Sequence, residues 1–371
     1  MDHAALEAYV GHSKLYDRVF GELVPASYRT RAAEAADRKR YVDNGNAALE
    51  DDWPAFTSML AERLAEPRYG LKTGLDGLDR ATPGGLVQTT LLFGPTGSGK
   101  SALAADLLLR VLDHNPDVGG VLFTTELSKT TVYSRLLGRE VGVPCTALHE
   151  VPADRLAEAG AAVREKYGSR LMVIGLPRQD GAHPLTVDDM KGRFVRLKKK
   201  TGVGRVVTVI DPINLIDPTD YLPEGEPPTD ADVDRGRLRL VQTFHHWTTS
   251  PERPEGDPVV VVAEVRKPAH SGQPITLSDV LGPAAVGFRY HWAFGVEPDR
   301  HADQAADVLR VDLVLDKAKD GGTRGAIPLD FLHRKYRFAH RAPAPPAAGR
   351  APAVHRPAGG RPCTTRKGAK T

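Results

Sequence analysis

The chain has 371 residues, of which 26% are charged, and its formal net charge at pH 7 is +3. That length accommodates one large or two modest domains, each with a sizeable core. The sequence has only two cysteines, which argues against a disulfide framework and a zinc site and favours a cytoplasmic location. It has no secretory signal pattern and no apolar run long enough to span a membrane, which argues against a membrane protein.

The first segment, residues 1–70, is polar and rich in Ala, Glu and Arg, and we expect it to be a helical N-terminal extension or linker. Within it, Asp52–Glu66 places apolar residues three and four positions apart, which predicts one amphipathic helix. These residues are Trp53, Phe56, Met59, Leu60 and Leu64.

Residues 71–340 alternate apolar runs with helical patterns, and this alternation predicts an α/β fold with a mainly parallel central sheet flanked by helices. The early runs are continuously apolar, as expected for parallel strands buried on both faces. The last two flank Gly321 and Gly322 and predict a C-terminal antiparallel hairpin. The predicted strands are Thr89–Phe93, Val121–Thr125, Leu171–Ile174, Val206–Ile210, Val259–Ala263, Val308–Leu315 and Ala326–Phe331, and the predicted helices follow Lys100 and span Asp154–Tyr167 and Thr186–Lys199.

The tail, residues 341–371, contains seven Lys and Arg residues and no Asp or Glu. Subtracting those seven charges from +3 leaves −4 for residues 1–340, so the basic character lies in the tail. Because the tail is rich in Pro, Ala and Gly and has almost no large apolar residues, we expect it to be disordered.

A glycine-rich segment between a predicted strand and a predicted helix carries the clearest chemical signal. Its pattern is that of a phosphate loop, in which backbone N–H groups and the positive end of the following helix surround a polyphosphate. The lysine reaches the β- and γ-phosphates of such a ligand, and the serine hydroxyl ligates Mg²⁺. The residues are Gly94, Pro95, Thr96, Gly97, Ser98, Gly99, Lys100 and Ser101.

Two further predicted strands end in carboxylates. Asp211 follows the apolar run Val206–Ile210 and is the candidate partner of Ser101 in holding Mg²⁺, although an Asp before Pro212 is also a common turn signal. Glu126 follows Val121–Thr125 and is the candidate general base for an attacking water, the alternative being a solvated side chain at a strand end. At the carboxyl edge of a parallel sheet, both side chains face the same crevice as the phosphate loop.

In this order, these segments resemble a RecA-like P-loop ATPase, and within that class the C-terminal motor domain of DnaB-type replicative helicases. The resemblance covers residues 71–340 and rests on Thr73–Asp79 (TGLDGLD), the phosphate loop, Leu122–Ser128 (LFTTELS) and Ile210–Ile216 (IDPINLI). It implies ATP and Mg²⁺ as ligands, with Glu126 as the catalytic glutamate and Asp211 at the metal.

The resemblance also implies a ring-shaped homo-oligomer, usually a hexamer, in which a cation from one subunit reaches the nucleotide of its neighbour. In the family this cation is an arginine, and the chain has Lys319 at that place. Alternatively, the basic residues of this hairpin tip only face solvent. The candidates are Lys317, Lys319 and Arg324. The predicted helix within residues 52–66 either docks on a neighbouring subunit, as the family's linker helix does, or packs on its own core, and the family's primase-binding domain is expected to be absent.

A second departure concerns the strand Val259–Ala263, which is followed by Glu264 where the family has a glutamine that senses the γ-phosphate. We include Glu264 among the nucleotide-binding candidates. By the same resemblance, Arg266 and Lys267 in the next loop are candidates for contacts with single-stranded DNA. The loop after Asp211 is a poor candidate, since residues 217–234 contain seven acids and no Lys or Arg.

The expected function is that of an Mg²⁺-dependent ATPase resembling a DnaB-type DNA helicase or translocase on single-stranded DNA, with other replication or recombination proteins as possible partners. Two alternatives stay open. One is a RecA- or KaiC-type ATPase that assembles on DNA or protein without unwinding, and the other is a nucleotide-switched binding module.

Overall fold

The computed structural model describes residues 70–82, 84–124, 126–175, 187–213, 256–265, 275–280, 290–299, 308–319 and 325–341, with isolated positions between 53 and 61 and between 229 and 241. The chain divides into two compact units, Met1–Arg68 and Tyr69–Thr371, and every element below belongs to the second. Within the described ranges, no helix is both long and apolar enough to cross a bilayer.

A nine-stranded sheet forms the centre of the second unit, with the strands in the order β3-β2-β4-β5-β1-β6-β7-β8-β9. Strands β1 to β6 pair in parallel, and β7, β8 and β9 extend the sheet by antiparallel pairing. The strands are β1 Thr89–Gly94, β2 Val118–Thr124, β3 Leu171–Gly175, β4 Arg205–Asp211, β5 Val259–Glu264, β6 Trp292–Pro298, β7 Val308–Ala318, β8 Ala326–Leu332 and β9 Arg337–His340.

One helix precedes β1, and the others connect strands along the chain and pack on the faces of the sheet. They are α1 Asp76–Ala81, α2 Lys100–His114, α3 Lys129–Val141, α4 Ala153–Tyr167 and α5 Val187–Thr201, with short 3-10 turns at Cys145–Glu150, Leu277–Asp279 and His333–Lys335. One apolar cluster joins α2 and α3 to one face of the sheet, and a second joins Met190 and Leu197 of α5 to the other face. Both faces of the parallel strands are therefore buried, which explains their continuous apolar runs.

Helix α2 is enclosed on more than one side. Eleven of its 15 residues are buried, because β9 covers it in addition to the sheet and Arg139 of α3 bonds to its Asp106. The buried Asp106 carboxylate accepts hydrogen bonds from Arg110 Nε at 2.9 Å, from the backbone N–H of Phe338 at 2.8 Å and from Arg139. Arg110 also donates to the carbonyls of Gly74 and Phe338. This network joins α2 to α3, to β9 and to the segment before α1.

The predicted fold class is confirmed: the sheet is mainly parallel, helices flank it, and β7 and β8 form an antiparallel pair. All seven predicted strands are present. The sequence reasoning missed β6, β9, α1 and α3, and it began β2 three residues late because Gly119 and Gly120 interrupt the apolar run. A Cβ at Gly120 would lie 2.9 Å from Leu108 Cδ1, so the absent side chain lets α2 pack closely on β2.

The predicted amphipathic helix of residues 52–66 lies mostly outside the described residues, and the predicted tail, residues 341–371, lies outside them except for Arg341.

Candidate nucleotide-binding site

The glycine-rich loop joins β1 to α2, as its sequence predicts. Gly97 and Gly99 have φ angles of +80° and +89°, in the left-handed region that favours glycine. Lys100 is only 6% exposed, and its Nζ donates a hydrogen bond to the carbonyl of Pro95 at 2.8 Å, so the lysine folds back across the loop. No side chain caps the N-terminus of α2, which leaves that helix end to a ligand.

The Ser98 hydroxyl lies beneath the loop. Its Oγ is buried and has no hydrogen-bond partner, and buried polar atoms of this kind are rare in folded proteins. An uncapped helix end and an unpartnered hydroxyl within one glycine-rich loop fit a polyphosphate ligand, which accepts hydrogen bonds and favours the positive end of a helix.

Asp211 reaches the loop from the end of β4. Ser101 Oγ donates a hydrogen bond to Asp211 Oδ1 at 3.0 Å. Asp211 is 3% exposed, and this burial raises the pKa of its carboxyl to about 6. The charge of Glu126 raises this pKa further. The hydrogen bond from Ser101 and the charges of Lys100 and Arg135 lower it. A hydroxyl and a carboxylate at hydrogen-bond distance are ligands of the kind that Mg²⁺ prefers, so these two residues fit the metal that the sequence predicts.

Glu126 lies beyond the end of β2, whose residue Thr124 is in register with Asp211. The side chain is exposed, and the chain turns there because the backbone N–H of Leu127 bonds to Thr124 Oγ1 at 3.1 Å. Glu126 acts electrostatically on both Asp211 and Lys100. A carboxylate in this position faces solvent near Asp211, where a water molecule has access.

Glu264 lies on the same side of the loop as Asp211 and Glu126, because β5 is between β4 and β1 in the sheet. It ends β5 and is in register with Gly94, the first residue of the loop. Thr96 Oγ1 donates a hydrogen bond to Glu264 Oε1 at 3.4 Å. Burial lowers the pKa of Lys100, and the charges of Glu264, Asp211 and Glu126, in that order of strength, oppose the lowering. The three candidate carboxylates are thus the acidic neighbours of one lysine.

Other sequence-predicted candidates lie elsewhere. Lys317 and Lys319 are at the end of β7, which β6 separates from β1. Burial and the neighbouring charge of Lys319 lower the pKa of Lys317. Arg266, Lys267 and Arg324 lie outside the described residues.

Sequence reasoning missed two residues beside Ser101 and Asp211. Arg135 of α3 and Tyr336, in the turn before β9, line a small cavity of about 30 Å³ together with Ser101 and Asp211. The guanidinium of Arg135 lies 4.7 Å from the centre of the Tyr336 ring, and its Nε is buried with no hydrogen-bond partner. The available signal was Ser128, which caps α3 by accepting from the N–H of Thr131 and thereby marks a helix that carries Arg135 towards Asp211.

The sheet order, the flanking helices and the glycine-rich loop after β1 give this chain a RecA-like P-loop fold. Residues 70–227, less than half of the chain, match the family model described as DnaB-like helicase C terminal domain, which confirms the resemblance seen in the sequence. No curated protein matches the chain.

Solved structures with the same fold include one described as an ATPase domain, with a TM-score of 0.63 and 16% identity over 80% of this chain and 100% of that one. A DnaB-like replicative helicase, described with its interactions with primase, has a TM-score of 0.62 and 16% identity over 92% of this chain and 88% of its own. At this identity, the two structures establish the fold.

Proposed function

We propose that this protein is an Mg²⁺-dependent ATPase that works as a DnaB-type motor on single-stranded DNA. The motor domain spans residues 71–340, and the protein acts in the cytoplasm as a ring-shaped homo-oligomer. The observation that carries the proposal is the hydrogen bond between Ser101 and Asp211, which joins the phosphate loop to the carboxylate of a neighbouring strand. The match of residues 70–227 to a helicase motor family supports the choice of reaction.

Each residue of the site has a task in this proposal. The loop N–H groups and Lys100 hold the triphosphate, and Ser101 and Asp211 hold Mg²⁺, which when bound neutralises phosphate charge and fixes the geometry of the triphosphate. Glu126 orients a water molecule for attack and accepts its proton. The lysines Lys317 and Lys319, or Arg324, supply a cation to the neighbouring subunit's nucleotide, and Arg266 and Lys267 contact DNA phosphates.

The direct test measures ATP hydrolysis by the full chain with and without single-stranded DNA, alongside the particle mass with ATP present. The proposal predicts stimulation by DNA, a multimer, and displacement of a paired strand. Lys100→Ala and Glu126→Gln should each abolish turnover, and Glu126→Gln should still bind ATP. If Lys100→Ala hydrolyses ATP like the parent protein, the proposed site is wrong.

A nucleotide-switched binding module is a second candidate. Glu264, beside the first residue of the loop, favours it, because the family that the sequence resembles has a glutamine there that senses the γ-phosphate, and without that sensor hydrolysis is not coupled to motion. The same assay separates the two functions. A switch binds ATP tightly with negligible turnover, and its Glu126→Gln variant behaves like the parent.

A further inference from the structure

Glu264 has a position that the catalytic scheme above does not explain. Because β5 pairs in parallel with β1, Glu264 lies directly beside Gly94, where the backbone leaves the sheet to form the phosphate loop. Its carboxylate accepts the hydrogen bond from Thr96 and acts more strongly on Lys100 than either of the other two acids does. The side chain is therefore turned towards the place where a phosphate binds.

The charge balance of this place is unfavourable for a bare polyphosphate. Three carboxylates, those of Glu264, Asp211 and Glu126, share the single lysine of the loop. Asp211 accepts a hydrogen bond from Ser101 and is itself a proposed ligand of the metal. Glu126 is exposed to water. Glu264 is half-buried against the loop itself, so its charge acts on the incoming phosphates at short range, where solvent screens least.

We infer that Glu264 makes the loop selective for the magnesium complex of a nucleoside triphosphate over the free nucleotide. This inference rests on the proposed nucleotide-binding function. Free ATP carries about two more negative charges than its Mg²⁺ complex, so a fixed carboxylate beside the phosphates penalises the free form more. The charge of Glu264 is the selective element, and its hydrogen bond with Thr96 only sets its position.

The experiment compares dissociation constants of ATP by isothermal titration calorimetry, with excess Mg²⁺ and with EDTA, for the full chain and for Glu264→Gln. The glutamine keeps an oxygen that accepts from Thr96 and removes only the charge. We expect Glu264→Gln to bind free ATP about tenfold more tightly than the parent does, with a smaller gain for the complex. The dissociation constant measured with EDTA, divided by the one measured with Mg²⁺, should therefore fall several-fold.

Three controls separate charge from structure. Glu165→Gln removes an exposed acid on α4 and should leave the ratio unchanged. Thr96→Val removes the hydrogen bond and keeps the charge, so the preference for the complex should persist. Glu264→Ala gives a second neutral variant and should change the ratio in the same direction as Glu264→Gln.

An unchanged ratio in both neutral variants, with normal binding of the magnesium complex, would overturn this inference and leave the proposed function standing. A parent protein that binds ATP neither with Mg²⁺ nor with EDTA would overturn both.

Discussion

The Arg135 guanidinium lies 4.7 Å from the centre of the Tyr336 ring, beside the cavity that Ser101 and Asp211 also line. The two residues come from α3 and from the turn before β9, so the C-terminal part of the sheet contributes to the lining of this cavity. Tyr336 has a φ angle of +45°, which is unusual for a residue other than glycine. Its ring contacts the Arg135 guanidinium and lies edge-on to the Phe331 ring, with the two ring centres 5.4 Å apart.

Arg135→Gln should strengthen Mg²⁺ binding. The guanidinium lines the same cavity as Ser101 and Asp211, so its positive charge repels a cation there. Its lowering of the pKa of Asp211 matters little at pH 7, because a carboxyl with a pKa of about 6 is already mostly ionised. We expect the Mg²⁺ concentration for half-maximal nucleotide binding at pH 7 to fall several-fold. Tyr336→Phe keeps the ring face and is the matched control. Equal Mg²⁺ requirements in the parent and in Arg135→Gln would show that the arginine has no influence on the metal ligands.

Asp211→Asn should stabilise the protein without ligand. The pKa of Asp211 is raised from 3.8 to about 6, so the folded state holds the proton more tightly and stability falls as pH rises from about 4 to about 6. Above pH 6 the ionised carboxylate costs about 3 kcal/mol, which the amide avoids. Urea unfolding at pH 7.5 and at pH 4.5 should show a gain that is larger at the higher pH. A gain independent of pH would contradict this explanation.

Asp106→Asn should destabilise the fold severely. The carboxylate is buried and accepts from two arginines and one backbone N–H, so the amide leaves Arg110 without its countercharge and Arg139 with only the longer ion pair to Asp113 at 3.8 Å. We expect a loss of about 3–5 kcal/mol in the free energy of unfolding. The matched change is Asp330→Asn, which removes the partly exposed ion pair with Arg341 and should cost below about 1 kcal/mol. Similar losses in the two variants would refute the role of the buried network.

Two helical glycines should respond oppositely to alanine. A Cβ at Gly160 of α4 meets nothing within 4 Å, so Gly160→Ala should raise the free energy of unfolding by up to about 1 kcal/mol through helix propensity. A Cβ at Gly138 of α3 would lie 2.7 Å from the carbonyl oxygen of Val143, so Gly138→Ala should lower stability. Thermal melting of both variants tests the pair, and the same sign of change in both would be inconsistent with these contacts.

Much of the parallel half of the fold was predictable, because β1, β4 and β5 are short apolar runs with recognisable ends. β1 ends at the glycine-rich loop, and β4 and β5 each end in a carboxylate. The pattern of Thr73 and Asp79 also has a local physical origin, since Asp79 accepts hydrogen bonds from the N–H groups of Thr73 and Gly74. Such signals lie within a few residues of the structure that they specify.

The missed elements depend on distant partners. β9 is four residues long and follows a basic turn, and it is fixed by pairing with β8 and by the bond from Phe338 to Asp106. α3 contains Thr130, Thr131, Val132 and Tyr133, which favour strands locally, and its packing on the sheet decides the outcome. Arg135 was missed for the same reason, because its neighbour Asp211 lies far along the chain.

The cover that β9 places on α2 has a consequence for biosynthesis. The helix that begins at Lys100 stays partly uncovered until Phe338 has left the ribosome and paired with Asp106. Nascent chains interrupted before that residue lack most of β9 and leave this side of α2 uncovered. A cell's quality-control machinery therefore has a clear physical mark by which to distinguish a fragment from a nearly finished protein.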